Sequence, residues 1–336
     1  MKVSLGVRNL IYIILSLIFL VFSFLTDLFP EKIIQDSLKI DQIIKNIKNT
    51  NIEDSFEKTA YFLNLISFGQ VKIFIVLQAI FYAFLLTRFF VYVKHFIFFI
   101  LLLVPNLILN VLIPGKEIVV IFLTILITLS IKYFKLKYAN FILITVLYLC
   151  YAYHIRAYYF LIFAVFVFLY LLTSFKKIKY RICLLMTFLI FIFLLPNELY
   201  SFLFSHREIS NTYALNINSV NRTVINNLFI PTNFIELIIN YLYVMSVMLF
   251  PVFYFFTYKE LFLMFLNSFI IIYFFKIYKL KHSLDTRILY SLFYAHLFVL
   301  FIFEPDLGSY LRHLTSCSIY FVGYMYMIQR DKIEKK

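Results

Sequence analysis

The sequence predicts an all-α integral membrane protein: a polytopic helical bundle of about ten spans, forming one domain over residues 1–336. Three observations carry this. Hydrophobic residues make up 63% of the chain and charged residues only 14%. Apolar runs approaching the roughly 20 residues that cross a bilayer recur from Leu10 to Ile328. Finally, 31 Lys and Arg outweigh 17 Asp and Glu, and most of the excess collects in short segments between runs, as in loops that stay on the cytoplasmic side.

The first run, residues 10–25, follows directly on residues 1–9. It has no small-residue cleavage site after it, so it is expected to remain as a span. Residues 71–90, 96–113, 118–131, 141–153, 158–172 and 182–195 supply the next runs. Residues 261–275, 288–303 and 319–328, the last with a polar lead-in, supply the rest. Residues 27–67 form a long first loop. Within it Ile33, Ile40, Ile44 and Ile47 recur at helical spacing among Lys and Asp, predicting a short amphipathic helix on the membrane surface. Residues 197–233 form a second large loop, rich in Asn (Asn211, Asn216, Asn218, Asn221, Asn226, Asn227, Asn233). Asn favours turns, and its amide also hydrogen-bonds sugar hydroxyls well.

The basic clusters set the orientation. They are Lys2/Arg8, Arg88/Lys94, Lys132/Lys135/Lys137, Lys176/Lys177/Lys179/Arg181, Lys276/Lys279/Lys281/Arg287 and Arg330/Lys332/Lys335/Lys336. With the N-terminus in the cytoplasm and strict alternation, the first four fall inside. The last two follow only if residues 231–275 cross once. Residues 232–258, with Glu236 and Pro251, are therefore expected to lie in the interface or to re-enter, which irregular backbone does only beside protein or a wet cavity. Both termini are then cytoplasmic. Single cations (Lys116, Arg156, Arg207, Arg222, Arg312) fall outside, as do Glu117, Glu198, Glu208, Glu304 and Asp306. The richness in Phe, Tyr, Ile, Asn and Lys, with no Trp, is that of an AT-rich bacterial genome.

Three short constellations on the outer side draw attention, because ionisable groups at membrane depth are costly. Pro114-Gly115-Lys116-Glu117 breaks one helix and opens the next; a plain interfacial turn is the competing reading. His154-Ile155-Arg156-Ala157-Tyr158-Tyr159 joins two runs almost without a loop, as an anion ligand or as a snorkelling Arg in a Tyr belt. Glu304-Pro305-Asp306-Leu307-Gly308-Ser309-Tyr310-Leu311-Arg312-His313 leads into the last run. There Arg312 offers a planar fork of donors suited to phosphate, and His313 can transfer a proton near neutral pH. His296, mid-run, reads as a packed polar residue. Cys150, Cys183 and Cys317 have no metal spacing and read as small buried hydrophobes. Phosphate-binding Gly loops, His-Glu-x-x-His and Gly-x-Ser-x-Gly are absent, and no inverted repeat of the secondary-transporter kind is found.

Cations, carboxylates and Asn on one face, rimmed by Tyr and backed by apolar helices, suit an amphiphile with a pyrophosphate and sugars. In the order and sidedness of Gly115-Lys116-Glu117, His154/Arg156, the large second-half loop and Tyr310–His313, the chain resembles the Wzy/EpsG-type polymerases of O-antigen, capsule and exopolysaccharide repeat units. That resemblance implies an integral-membrane, C-type glycosyltransferase of the bacterial cytoplasmic membrane. It would move a growing glycan from undecaprenyl pyrophosphate to a hydroxyl of an incoming lipid-linked repeat unit. Arg312, Arg156 and Lys116 would meet the pyrophosphate. His154, Arg207, Arg222 and Tyr310 would be further substrate contacts. Glu117, His313 and Asp306 are alternative general bases. Neither a metal nor another cofactor is called for, and nucleic acid is not an expected partner. Membrane lipid, a chain-length regulator and a flippase are. A flippase of lipid-linked oligosaccharide, or another membrane transferase, remains the alternative.

Overall fold

The computed structural model describes residues 3–24, 31–46, 54–90, 102, 106, 110–111, 115–133, 137–216, 223–277 and 283–333. Every regular element of any length among them is helical. In chain order these are α1 (Leu5–Phe24), α2 (Glu31–Lys45), α3 (Ser55–Ile66), α4 (Val71–Phe89), α5 (Glu117–Tyr133), α6 (Lys137–His154), α7 (Tyr159–Ser174) and α8 (Ile178–Phe193). There follow α9 (Asn197–Asn216), α10 (Phe234–Leu249), α11 (Tyr258–Lys276), α12 (Leu284–Phe303), α13 (Leu307–Ser316) and α14 (Ser318–Ile333).

Nine of the apolar runs coincide with helices; residues 96–113 lie mostly outside the described residues. Among the described residues, four helical segments are long and apolar enough to cross a membrane: Leu5–Phe22, Val71–Phe89, Tyr258–Lys276 and Leu284–Phe303. Helices α8 and α9, bent by 89° across the break that holds Pro196, make a fifth if taken as one broken span. This marks the chain as an all-helical protein of membrane type.

Two expectations change. Residues 197–216, anticipated as turn-rich loop, form helix α9. Its Asn residues are spaced too widely to outweigh the aromatic and aliphatic positions between them. The lead-in to the last run is a separate helix, α13, because the hydrogen-bonded path breaks at Cys317 before α14 begins. Burial also divides the cysteines, since only Cys317 is buried while Cys150 and Cys183 are exposed. Residues 232–258 hold α10 and a 3-10 turn at Pro251–Phe253.

The chain divides into two compact units. Unit 1 comprises Met1–Phe163, Ser283–Leu289 and Thr315–Lys336. Its core is α4 with α5 and α14 around it. Gly323 lets α14 approach closely: a Cβ there would come within 3.1 Å of Leu289 Cδ1. A buried polar network threads this apolar core. Asn106 Nδ2 donates to Tyr82 Oη (2.5 Å), Asn110 Nδ2 to Asn106 Oδ1 (2.8 Å) and to Thr315 Oγ1 (3.0 Å), and Tyr82 and Ser318 share a bond of 3.2 Å. Such chains give the packing one register, because any slip leaves polar groups unpaired in low dielectric.

Unit 2 comprises Ala164–His282 and Tyr290–Leu314. Its helices end without glycine, and their last carbonyls need donors from elsewhere. Tyr200 Oη donates to Ile192 O (2.7 Å) at the end of α8. Asn267 Nδ2 donates to Met248 O (2.7 Å) at the end of α10. The Arg207 guanidinium does the same for α12.

Candidate active site

In unit 2, α12 ends at Phe303 and the chain turns through Glu304-Pro305-Asp306 into α13. Pro305 cannot continue the helix, and the turn is fastened to residues 223–225: Ile225 N donates to Pro305 O (2.8 Å) and Leu307 N to Thr223 O (3.4 Å). Asp306 opens α13, its Oδ1 accepting Ser309 N at 2.9 Å, the geometry of a helix N-cap. The first turn of α13 therefore faces back toward the residue that ended α12. Ser309 Oγ donates to Glu304 Oε2 (2.5 Å), and His313 Nδ1 is hydrogen-bonded to Glu304 Oε1. The Glu304 side chain is 4% exposed and that of His313 18%. A buried carboxylate thus holds a partly exposed imidazole through Nδ1. Arg312 precedes His313 on the same helix and is half-buried.

Arg207 and Tyr310 are held in the packing of the helices. Arg207 is fully buried. Its Nε donates to Glu304 O (2.9 Å), its Nη2 to Phe301 O (2.6 Å) and Ile302 O (2.9 Å), and its Nη1 to Asn227 Oδ1 (2.9 Å). It caps α12 and so fixes the backbone from which Glu304 projects. Tyr310 is likewise fully buried and donates to Asn267 Oδ1 (3.1 Å), so it packs the helix rather than lining an open site. Asp306, a candidate base in the sequence, is engaged as the N-cap. Arg222 lies outside the described residues.

In unit 1, Gly115 and Lys116 lead into α5, whose first residue is Glu117. Gly115 permits the Glu117 carboxylate to fold back: a Cβ there would sit 3.1 Å from Glu117 Oε2. Arg156 comes from the turn between α6 and α7, and its Nη2 lies 3.0 Å from Glu117 Oε1. Nη1 donates to Tyr158 Oη at 3.0 Å. Both charged side chains are buried, at 8% and 3% exposure. Removing one partner of such a pair costs about 3–5 kcal/mol, because the other is left charged without compensation. Lys116 Nζ stands 3.7 Å over the Phe56 ring, a cation–π contact. Burial lowers its pKa, and Arg156 pushes the same way against Glu117, Asp36 and Asp54. His154 takes no part: it is exposed, with its ring edge-on to Tyr153 at 4.9 Å.

The sequence reading left Glu304 out of the site, although it noted the residue. The signal was the nine-residue spacing to His313 across a proline break, which only the folded turn shortens. Among the described residues no group of three or more His, Cys, Asp or Glu is placed to hold a metal ion. No family model, curated protein or solved structure matches the chain. Fold and site together define a class: an all-helical membrane-type protein in which a buried carboxylate meets a partly exposed histidine whose chain neighbour is an arginine.

Proposed function

We propose that the chain is an integral-membrane glycosyltransferase that polymerises undecaprenyl-pyrophosphate-linked oligosaccharide repeat units at the outer face of the bacterial cytoplasmic membrane. In this reading it spans the membrane about ten times, with both termini inside. The observation that carries it is the pairing of Glu304, in the turn after α12, with His313 on α13, with Arg312 adjacent to His313 in the chain. Glycosyl transfer from a pyrophosphate needs two things of a protein. A base must take the proton of the acceptor hydroxyl as its oxygen bonds to the donor C1. Fixed cations must meet the charge that builds on the pyrophosphate as the C1–O bond breaks.

His313 is the base in this reading, its Nε2 receiving the proton and Glu304 orienting the ring. Arg312 meets the leaving pyrophosphate, because a guanidinium fork matches two phosphate oxygens. The Glu117–Arg156 pair of unit 1, with Lys116, is a separate candidate contact for an anionic headgroup. Of the three bases open in the sequence, His313 is preferred because Asp306 is engaged as a cap and Glu117 faces Arg156.

A strain lacking the protein tests this. Its surface glycan is expected to shrink to a single repeat unit on its carrier or acceptor. Loss of all surface glycan, with lipid-linked repeat units retained inside the cell, overturns the polymerase reading in favour of a flippase.

A further inference from the structure

Three helices of unit 1 bring cations together at one end. Arg8 lies near the start of α1, Arg88 in the last turn of α4 and Lys132 in the last turn of α5. Helices α1 and α4 run antiparallel there, joined by an edge-on contact of Tyr12 with Phe84 at 5.9 Å. Between them is a cavity of about 280 Å³ lined by Asn9, Tyr12, Ile13, Phe84, Thr87 and Arg88. The Arg88 guanidinium lies 5.0 Å over Phe84, and Lys132 Nζ lies 4.4 Å over Phe89. Both cations therefore rest on aromatic faces, not on carboxylates. Arg8 Nε is buried with no hydrogen-bond partner among the described residues.

The described acids of unit 1 on α12 and α14 are engaged elsewhere: Asp285 and Asp331 lie against Arg330, and Asp331 also accepts from Ser283 and Thr286. Asp and Glu are absent from residues 1–26, 58–116 and 118–197. Lys132 stands just beyond the 118–131 apolar run. Burial, then Arg88 and Arg8, lower its pKa to about 8; every charged group acting on it is a cation. Like charges gathered beside a cavity are stabilised by an anion in that cavity.

We propose that this cavity binds the phosphate headgroup of an anionic phospholipid. The walls argue for a lipid over a soluble phosphate. Ile13 and Leu17 on α1, and Phe81 and Leu77 on α4, are exposed apolar side chains. Ile13 lines the cavity, and the other three lie farther along the same helices from Arg8 and Arg88, an apolar surface of the kind that acyl chains cover. The cations belong to the clusters that the positive-inside pattern puts at the cytoplasmic leaflet, where basic pockets between helices take anionic headgroups.

The purified full chain in maltoside detergent provides the test, read by native mass spectrometry. Dioleoyl phosphatidylglycerol is expected to be retained about tenfold or more over dioleoyl phosphatidylcholine. Arg88→Gln and Lys132→Gln are each expected to cut that retention roughly fivefold, the attraction of one cation near an anionic surface. Equal retention of the two lipids overturns the proposal, as does undiminished phosphatidylglycerol binding by folded variants. Displacement by millimolar inorganic phosphate also overturns it, since the site then takes a soluble anion. Should the variants not fold, a photoactivatable phosphatidylglycerol decides on the wild-type chain: adducts on residues 8–13 or 84–88 support the site, and adducts confined elsewhere overturn it. The readout is lipid and not glycan, so failure here leaves the polymerase reading untouched.

Discussion

Arg207 engages all three of its guanidinium nitrogens with protein oxygens and is fully buried. Arg312 precedes His313, the partner of Glu304. From sequence both were single cations on the outer side, Arg312 set against the pyrophosphate and Arg207 a further substrate contact in the large second loop. The fold points Arg207 at the carbonyls that end α12 and leaves Arg312, next to His313 in the chain, half-buried on α13. If Arg312 grips pyrophosphate through its fork, an ammonium keeps the charge but loses the second, parallel hydrogen bond. Arg312→Lys is therefore expected to lower polymerisation by roughly a hundredfold or more, with expression and membrane insertion unchanged. The check is the length distribution of surface glycan from cells carrying the variant at wild-type level. Full-length polymer would remove Arg312 from the chemistry and return it to the role of an interfacial anchor, which Lys fills equally well.

At the scale of elements, the recurring device is a side chain reaching across to finish a helix. The chain has five Gly, so the usual left-handed glycine cap is scarce. Tyr200, Arg207 and Asn267 donate to the ends of α8, α12 and α10 instead. The helices themselves were legible, because long apolar runs fix element type by length and hydropathy alone. Their partners were not: the separations run from 8 residues for Tyr200 to 94 for Arg207, and neither spacing nor composition links Arg207 to Phe301. The capping role of Asp306 was hidden for a related reason. An acid near an arginine and a histidine invites a chemical role, while its capping bond to Ser309 N follows only once α13 is known to start at Leu307. The two roles separate by mutation. Asn caps as well as Asp, so Asp306→Asn is expected to retain both thermal stability in detergent and polymerisation, whereas Asp306→Ala loses about 1 kcal/mol of stability. A stable but inactive Asp306→Asn protein would make Asp306 the base after all.

For the whole molecule, the unresolved quantity is sidedness, and charge is what predicts it. Lysines near residues 135, 177 and 281 belong to dense basic clusters, while Asn49, Asn218 and Ser309 sit in segments where acids and single cations mix. Dense Lys/Arg in short loops biases them to the cytoplasm, because translocating several cations together is disfavoured. The helix boundaries sharpen the test. The break between α8 and α9 carries an 89° bend, so the chain can turn back within the membrane there as well as in residues 232–258. With α10 followed by a 3-10 turn and then α11, an odd number of crossings between residues 177 and 281 would carry one cluster outside; an even number keeps both in. Cysteines introduced near Asn49, Asn218 and Ser309 are expected to react with a membrane-impermeant maleimide in intact cells. Those near Lys135, Lys177 and Lys281 are expected to react only after permeabilisation. Labelling near Lys281 in intact cells would mean that residues 231–275 cross twice. Labelling near Ser309 only after permeabilisation would put Glu304, Arg312 and His313 on the cytoplasmic face, where an outer-face polymerase has no use for them, and the functional proposal would fall with the topology.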